Sequence, residues 1–132
     1  AITGKPALSI AFQHTNAAFD ATGTCVFLTF GIDVNDALPE LVAATGIDYT
    51  VESLLEVGER IFNLERQWLL KAGFSGADDT LPERLLKGGI PHGPTKGQVN
   101  RLPEMLPEYY KLRGWNERGE PTREKLAALG LV

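Results

Sequence analysis

The chain has 132 residues, 43% of them hydrophobic and 23% charged, which is enough for one domain with a real core and excludes a disordered polymer. Thirteen basic against seventeen acidic residues give a net charge of -4, and no basic block exceeds two residues, so a nucleic-acid surface is excluded. The longest apolar run, residues 26–30 with Thr29 inside it, falls far short of the ~20 residues of a membrane span.

In chain order, Ala7 to Asp20 reads as an alanine-rich helix, apolar on more than one side and therefore buried. Cys25 to Phe30 has strand-like residues but no partner strand. Asp36 to Thr45 reads as a short helix capped by Asp36 and stopped by Gly46. The strongest periodicity lies in Val51 to Ala72, with Thr50 as N-cap and Gly73 as stop. There Leu54, Leu55, Ile61, Phe62, Trp68, Leu69 and Ala72 form one stripe with Gly58 on the same face. Glycine costs ~1 kcal/mol against alanine inside a helix, so Gly58 is expected to admit a close neighbour. Glu56 and Arg60 are spaced to pair, and Asn63 falls off the stripe.

Leu81 to Lys87 is a further short helix, capped by Asp79 or Thr80, with Pro82 early. Leu102 to Arg113 is another, in which Pro107 either kinks the helix or marks its start. Thr122 to Leu129 follows, capped by Thr122. Residues 87–98 and 114–121 carry too much Gly and Pro to be regular. The expected architecture is all-α, an irregular bundle of about five to six helices with long Gly/Pro-rich loops, forming a single domain over residues 1–132.

Chemistry concentrates at Phe19-Asp20-Ala21-Thr22-Gly23-Thr24-Cys25. Gly23 can take a backbone shape forbidden to other residues and bring N–H groups close to a ligand. Asp20 can accept hydrogen bonds from a heterocycle, and the Cys25 thiolate suits a soft metal or an iron–sulfur cluster. The same residues also fit a lone thiol packed as a small hydrophobe beside a capped turn, and from spacing alone that plainer reading is favoured. One cysteine cannot hold a cluster alone, and it forms no intrachain disulfide, which suits a reducing compartment. His14 reads as a satisfied helix histidine, His92 as a solvated loop residue, and Glu65 as a partner in an ion pair or helix-end contact. Trp68, Trp115, Tyr109 and Tyr110 read as core residues with polar tips.

Five segments in register resemble one family, the tungsten-containing aldehyde:ferredoxin oxidoreductases. Asp20-x-x-Gly23-Thr24-Cys25 is similar to that family's Asp-x-x-Gly-Leu-Cys motif, departing only at Thr24. Gly58-Glu59-Arg60-Ile61-Phe62-Asn63-Leu64-Glu65-Arg66 resembles its Gly-Glu-Arg-Ile-x-Asn-Leu-Glu-Arg helix. Asp78-Asp79-Thr80-Leu81-Pro82-Glu83-Arg84, the Tyr109-Tyr110-x-x-Arg113-Gly114-Trp115 segment and the tail from Gly119 to Leu131 fit in the same order.

The resemblance implies a C-terminal domain of an enzyme that oxidises aldehydes to carboxylic acids and passes electrons through a four-iron four-sulfur cluster to ferredoxin. It further implies that Asp20, Gly23 and Thr24 meet a pterin of a tungsten bis-pterin cofactor, and that Cys25 is one metal ligand of the cluster. The other three cluster cysteines belong to an upstream segment in that family, so no catalytic residue is assigned here and the chain alone is expected to be inactive and to bind neither cofactor. The absence of an initiator methionine suggests a piece of something longer, with upstream domains as its partners and the cytoplasm as its compartment. An aryl-CoA reductase subunit of the same superfamily and a non-catalytic helical interaction domain are the competing readings. The chain alone is expected to expose the Asp20–Cys25 turn and to self-associate through Phe19, Val26, Phe27 and Phe30.

Overall fold

The computed structural model describes residues 2–132 and contains six α-helices: α1 (Lys5–Ala21), α2 (Val34–Thr45), α3 (Val51–Lys71), α4 (Glu83–Lys87), α5 (Leu102–Arg113) and α6 (Arg123–Ala128). Two short 3₁₀ turns, Val26–Phe30 and Gly76–Asp78, join them. The all-α expectation holds. Among the described residues the only β pairing is a single antiparallel bridge, Trp115 to Pro121, and no helix is long and apolar enough to cross a membrane.

Helix α3 is the axis of the molecule, with α1 laid along it, α5 against α1, and α2 at one end. It starts where Thr50 and Ser53 exchange side-chain and backbone hydrogen bonds in a capping box. The predicted Glu56–Arg60 pair is present at 3.2 Å on the exposed face, where such a pair contributes only a few tenths of a kcal/mol. Gly58 is buried because α1 crosses it at backbone distance. A Cβ at that position would lie 2.0 Å from the His14 carbonyl oxygen. Close helix approach through a glycine is thus the reason a helix breaker sits mid-helix.

Several expectations are corrected. Helix α1 begins two residues earlier than predicted and is not a buried helix: Leu8 and Phe12 are more than half exposed, and only Pro6, Ala18 and Phe19 are buried. Helix α2 is capped by Asp33 rather than Asp36; Asp36 is the reciprocal member of the box, bonding the Asp33 N–H at 2.8 Å. Helix α4 starts at Glu83, after Pro82, without a side-chain cap. Pro107 does not mark the start of α5, which takes Pro103 into its first turn and carries Pro107 in its interior.

The largest correction concerns the buried face of α3. Trp68 is 67% exposed, while Asn63 is fully buried and Arg66 nearly so. The helical period fixes which residues share a face, but the neighbours decide which face is covered. Here the segment that follows α5 covers the polar side. After Gly114 turns the chain with a φ of +70°, residues 115–121 fold into a tight loop against α3, and α6 docks beside it. Arg60 Nε donates to the Leu129 carbonyl at 2.9 Å, and Lys125 meets Glu59 at 2.7 Å.

Candidate functional site

The turn Asp20–Cys25 lies at the C-terminal end of α1. The helix stops because Gly23 takes a φ of +78°, with the Thr22 and Gly23 N–H groups donating back to the Phe19 and Asp20 carbonyls at 3.0 Å each. Thr24 N–H donates to Thr22 Oγ1 at 3.2 Å, which tightens the loop. Cys25 is extended, and the chain then enters the Val26–Phe30 3₁₀ turn. Phe19, 2% exposed, pins the turn to the core from beneath.

Everything a ligand could use at this turn faces outward. Asp20 is exposed, and its carboxylate makes no hydrogen bond among the described residues. The Cys25 thiol is exposed and free, which corrects the reading of a packed small hydrophobe. The N–H groups of Cys25, Val26 and Phe27 have no acceptor among the described residues, and nothing lies within 4 Å of where a Gly23 Cβ would stand. The rings of Phe27 and Phe30 stack 6.0 Å apart and are 71% and 86% exposed, so the turn is bordered by uncovered apolar surface. Phe19 does not contribute to that surface, against expectation, because it is core. The structure thus brings Asp20, Gly23, Thr24 and Cys25 into one turn. No group of three or more potential metal ligands occurs among the described residues, so the turn can supply a single thiolate to a shared centre.

The middle of α1, before this turn, is met by a group of polar side chains around the buried Arg113. Arg113 is 1% exposed and stands 3.9 Å over the Phe62 ring. It donates to Gln13 Oε1, approaches His14 Nε2 at 2.8 Å, and donates from Nε to the Tyr109 hydroxyl at 3.0 Å. Burial holds its pKa below the usual guanidinium value. Burial first, then the Arg113 charge, push the His14 pKa below the ordinary imidazole value. His14 is therefore a satisfied helix histidine, as expected.

A second group joins α3 to the loop after α5. Trp115 donates from Nε1 to Asn63 Oδ1 at 2.8 Å. Arg66 grips both carboxylate oxygens of Asp79, at 2.9 and 2.6 Å, and donates from Nε to the Gly119 carbonyl at 2.8 Å. Tyr110 donates its hydroxyl to Asp79 at 2.5 Å, and burial followed by that hydrogen bond pushes its pKa up to about 12. No side-chain nitrogen or oxygen among the described residues is buried without a partner.

Sequence reasoning missed Asn63, Arg66 and Arg113 as buried anchors. Arg113 carried a signal of position, on the helical face of the paired tyrosines, whereas Asn63 and Arg66 lie to the side of the Gly58 stripe and nothing in the sequence marks them as buried. Tyr110 and Trp115 are core residues as expected, and Tyr109 is half-buried. His92 is exposed in its loop. Glu65 makes no ion pair among the described residues. It is exposed and shares with Asp20 a shallow groove between α1 and α3 that Asn16 and Ile61 also line.

Residues 1–131 match the family model described as aldehyde ferredoxin oxidoreductase, domains 2 and 3. The chain is 51% identical over 129 residues to a tungsten-containing aldehyde ferredoxin oxidoreductase of Pyrococcus furiosus, covering 97% of this chain and 21% of that protein. A protein of the same description from Thermococcus kodakarensis is also 51% identical over 129 residues, with the same shares covered. Among solved structures, the active-site complex BamBC of benzoyl coenzyme A reductase, in complex with 1,5-dienoyl-CoA, superposes with a TM-score of 0.81 at 26% identity, covering 99% of this chain and 20% of that one. The chain spans about a fifth of the length of the relatives it matches.

Proposed function

Since this chain belongs to the aldehyde ferredoxin oxidoreductase family, we propose that it is the C-terminal helical domain of a tungsten-pterin enzyme oxidising aldehydes to carboxylic acids, with ferredoxin as electron acceptor. The Asp20–Cys25 turn is its contribution to the cofactor site, and upstream domains of the same polypeptide complete that site.

One observation carries this reading. A carboxylate, a thiol and a run of N–H groups, all free of partners in the chain, converge on a turn whose glycine leaves its surface bare. A thiol serving only to pack would be covered, and a carboxylate serving only as a cap would be bonded. The residues therefore fit the groups that the family implies. Asp20 would accept hydrogen bonds from the ring N–H and amino groups of a pterin, while the Gly23 and Thr24 backbone lets the heterocycle approach. Cys25 would give one thiolate to a four-iron four-sulfur cluster, the remaining ligands coming from outside this chain. When bound, the tungsten-pterin and the cluster supply two-electron redox chemistry and single-electron relay to ferredoxin. The chain's own share is positioning: Phe19 and the Arg113 cluster hold the turn, and the apolar rim of Phe27 and Phe30 is covered by the upstream domains and keeps water away. In their absence that rim would pair with itself. A reducing cytoplasmic setting belongs to the same proposal, because a ligating thiol must stay reduced.

The similarity to the benzoyl-CoA reductase complex supports a second reading, an aryl-CoA reductase subunit. The higher identity to the aldehyde-oxidising relatives favours the first. Cys25→Ala and Asp20→Asn in the full-length enzyme test the assignment. The cysteine variant is expected to lose the iron and the low-temperature paramagnetic signal of the reduced cluster. The aspartate variant is expected to retain iron and lose pterin-bound metal. Retention of cluster iron and of electron transfer by Cys25→Ala would refute the role given to the turn.

A further inference from the structure

Helix α1 carries the Asp20–Cys25 turn but has few apolar anchors of its own. Beyond Pro6 at its start, only Ala18 and Phe19 are buried, and both lie in its last turn. Its middle is held by polar contacts that converge on one turn of the helix. Gly58 of α3 lies against the His14 carbonyl, Tyr109 of α5 donates to Gln13 Oε1 at 2.8 Å, and Arg113 of α5 reaches both Gln13 and the His14 ring.

The Arg113–His14 contact has one chemical solution. A guanidinium has five N–H donors and no acceptor, so His14 Nε2, 2.8 Å from Arg113 Nη1, must offer a lone pair. The imidazole is then neutral, with its proton on Nδ1. A second proton could go only to Nε2, where it would delete the acceptor and set two cations face to face in a half-buried site.

We infer that Arg113 and His14 are a positioning pair, holding α1 and the Asp20–Cys25 turn in register only while His14 keeps its single proton on Nδ1. The pair concerns how the turn is mounted and does not depend on what the turn binds. The charged and titratable groups facing His14 are Arg113 and Tyr109 from α5, Glu59 from α3 and Lys125 from α6. Glu59 alone favours the imidazolium, and it is tied up at 2.7 Å by Lys125. Burial and Arg113 outweigh it, so the folded state favours the neutral ring. The stabilisation is therefore fully present above the ordinary imidazole pKa of about 6.5 and declines as the pH falls below it toward the lowered folded value.

The test uses nitrogen-15 NMR and thermal unfolding on the 132-residue chain with His92→Gln, which leaves His14 as its single imidazole. Three results are expected. At neutral pH, His14 shows a protonated Nδ1 and an unprotonated Nε2, the less common neutral tautomer. The amide resonances of Gly23, Thr24 and Cys25 shift with the same midpoint as the His14 ring. His14→Gln, whose side-chain oxygen can take the place of Nε2 as acceptor, removes both that shift and the loss of melting temperature between about pH 7 and about pH 5. A ring protonated on Nε2 at neutral pH, or turn amides that ignore the His14 midpoint, would overturn the inference. So would a folded His14→Gln chain with an unchanged pH profile. Should that variant not fold, the tautomer and the turn amides of the wild-type histidine decide the matter.

Discussion

Replacing Gly58 by alanine tests the helix crossing on which the rest of the fold is built, because two effects of opposite sign compete there. Alanine in place of glycine inside a helix stabilises by about 1 kcal/mol when nothing opposes it. At Gly58 the added carbon would stand 2.0 Å from the His14 oxygen, 2.7 Å from its carbonyl carbon and 3.0 Å from its Cα. All three are backbone atoms, so no rotamer change relieves the clash, and α1 must retreat by roughly 1 Å or more to restore ordinary contact. Overpacking in a close-packed interior costs roughly 1–3 kcal/mol, and a rigid backbone neighbour puts this site at the upper end. The net expectation is a loss of about 2 kcal/mol, or a melting temperature lower by roughly 6–10 °C for a chain of this size. Thermal unfolding followed by far-ultraviolet circular dichroism measures it. A melting temperature equal to or above that of the parent chain would refute the close crossing, since that is how alanine behaves at a solvent-facing helical glycine.

Two further outcomes follow from the buried polar groups. Trp115→Phe keeps an aromatic ring but loses the pyrrole portion of the indole and with it the donor to Asn63 Oδ1, stranding an acceptor on a fully buried side chain. The expected loss is about 1–3 kcal/mol in denaturant unfolding, and a loss under about 0.5 kcal/mol would mean that the bond contributes little. For Tyr110 the folded pKa of about 12 lies above the ordinary phenol value of about 10, so its contribution to stability is complete below the ordinary value and disappears as pH rises through the folded one. Spectrophotometric titration should show one phenol ionising late, missing in Tyr110→Phe; three phenols titrating together would contradict the Asp79 hydrogen bond.

Much of this architecture is legible in the sequence, and the parts that are not have a common cause. Helix α3 is legible because its periodicity, Thr50 and the Gly73 stop agree with one another. The site turn is legible because Gly23 is the one residue there that could reverse the chain. Which face of α3 would be covered is not legible, because the cover comes from residues 113–129, some fifty positions away, and its chemistry is polar. Trp68 looked like core and Asn63 like surface because apolarity stands in for burial only when the partner surface is apolar too. Similarly, the sequence points to Asp36 as the cap of α2, but the extended backbone at Asp33, whose carboxylate accepts from the Asn35 and Asp36 N–H groups, puts the cap three residues earlier. Exposure of the Asp20–Cys25 turn follows from the family resemblance, whereas spacing alone favours a packed thiol, since exposure depends on what fails to pack against it.

The embrace of α3 by the segment after α5 bears on biosynthesis. Asn63 leaves the ribosome about fifty residues before Trp115, the donor to its side-chain oxygen, and Arg66, whose partner Asp79 follows soon after, waits as long for the Gly119 carbonyl. Until those arrive, α3 can coil as a helix, but the Asn63 amide and the Arg66–Asp79 pair stay uncovered, so cooperative closure waits for nearly the whole chain to emerge. A nascent chain stalled between α3 and α5 would thus offer chaperones and proteases an unfinished helix.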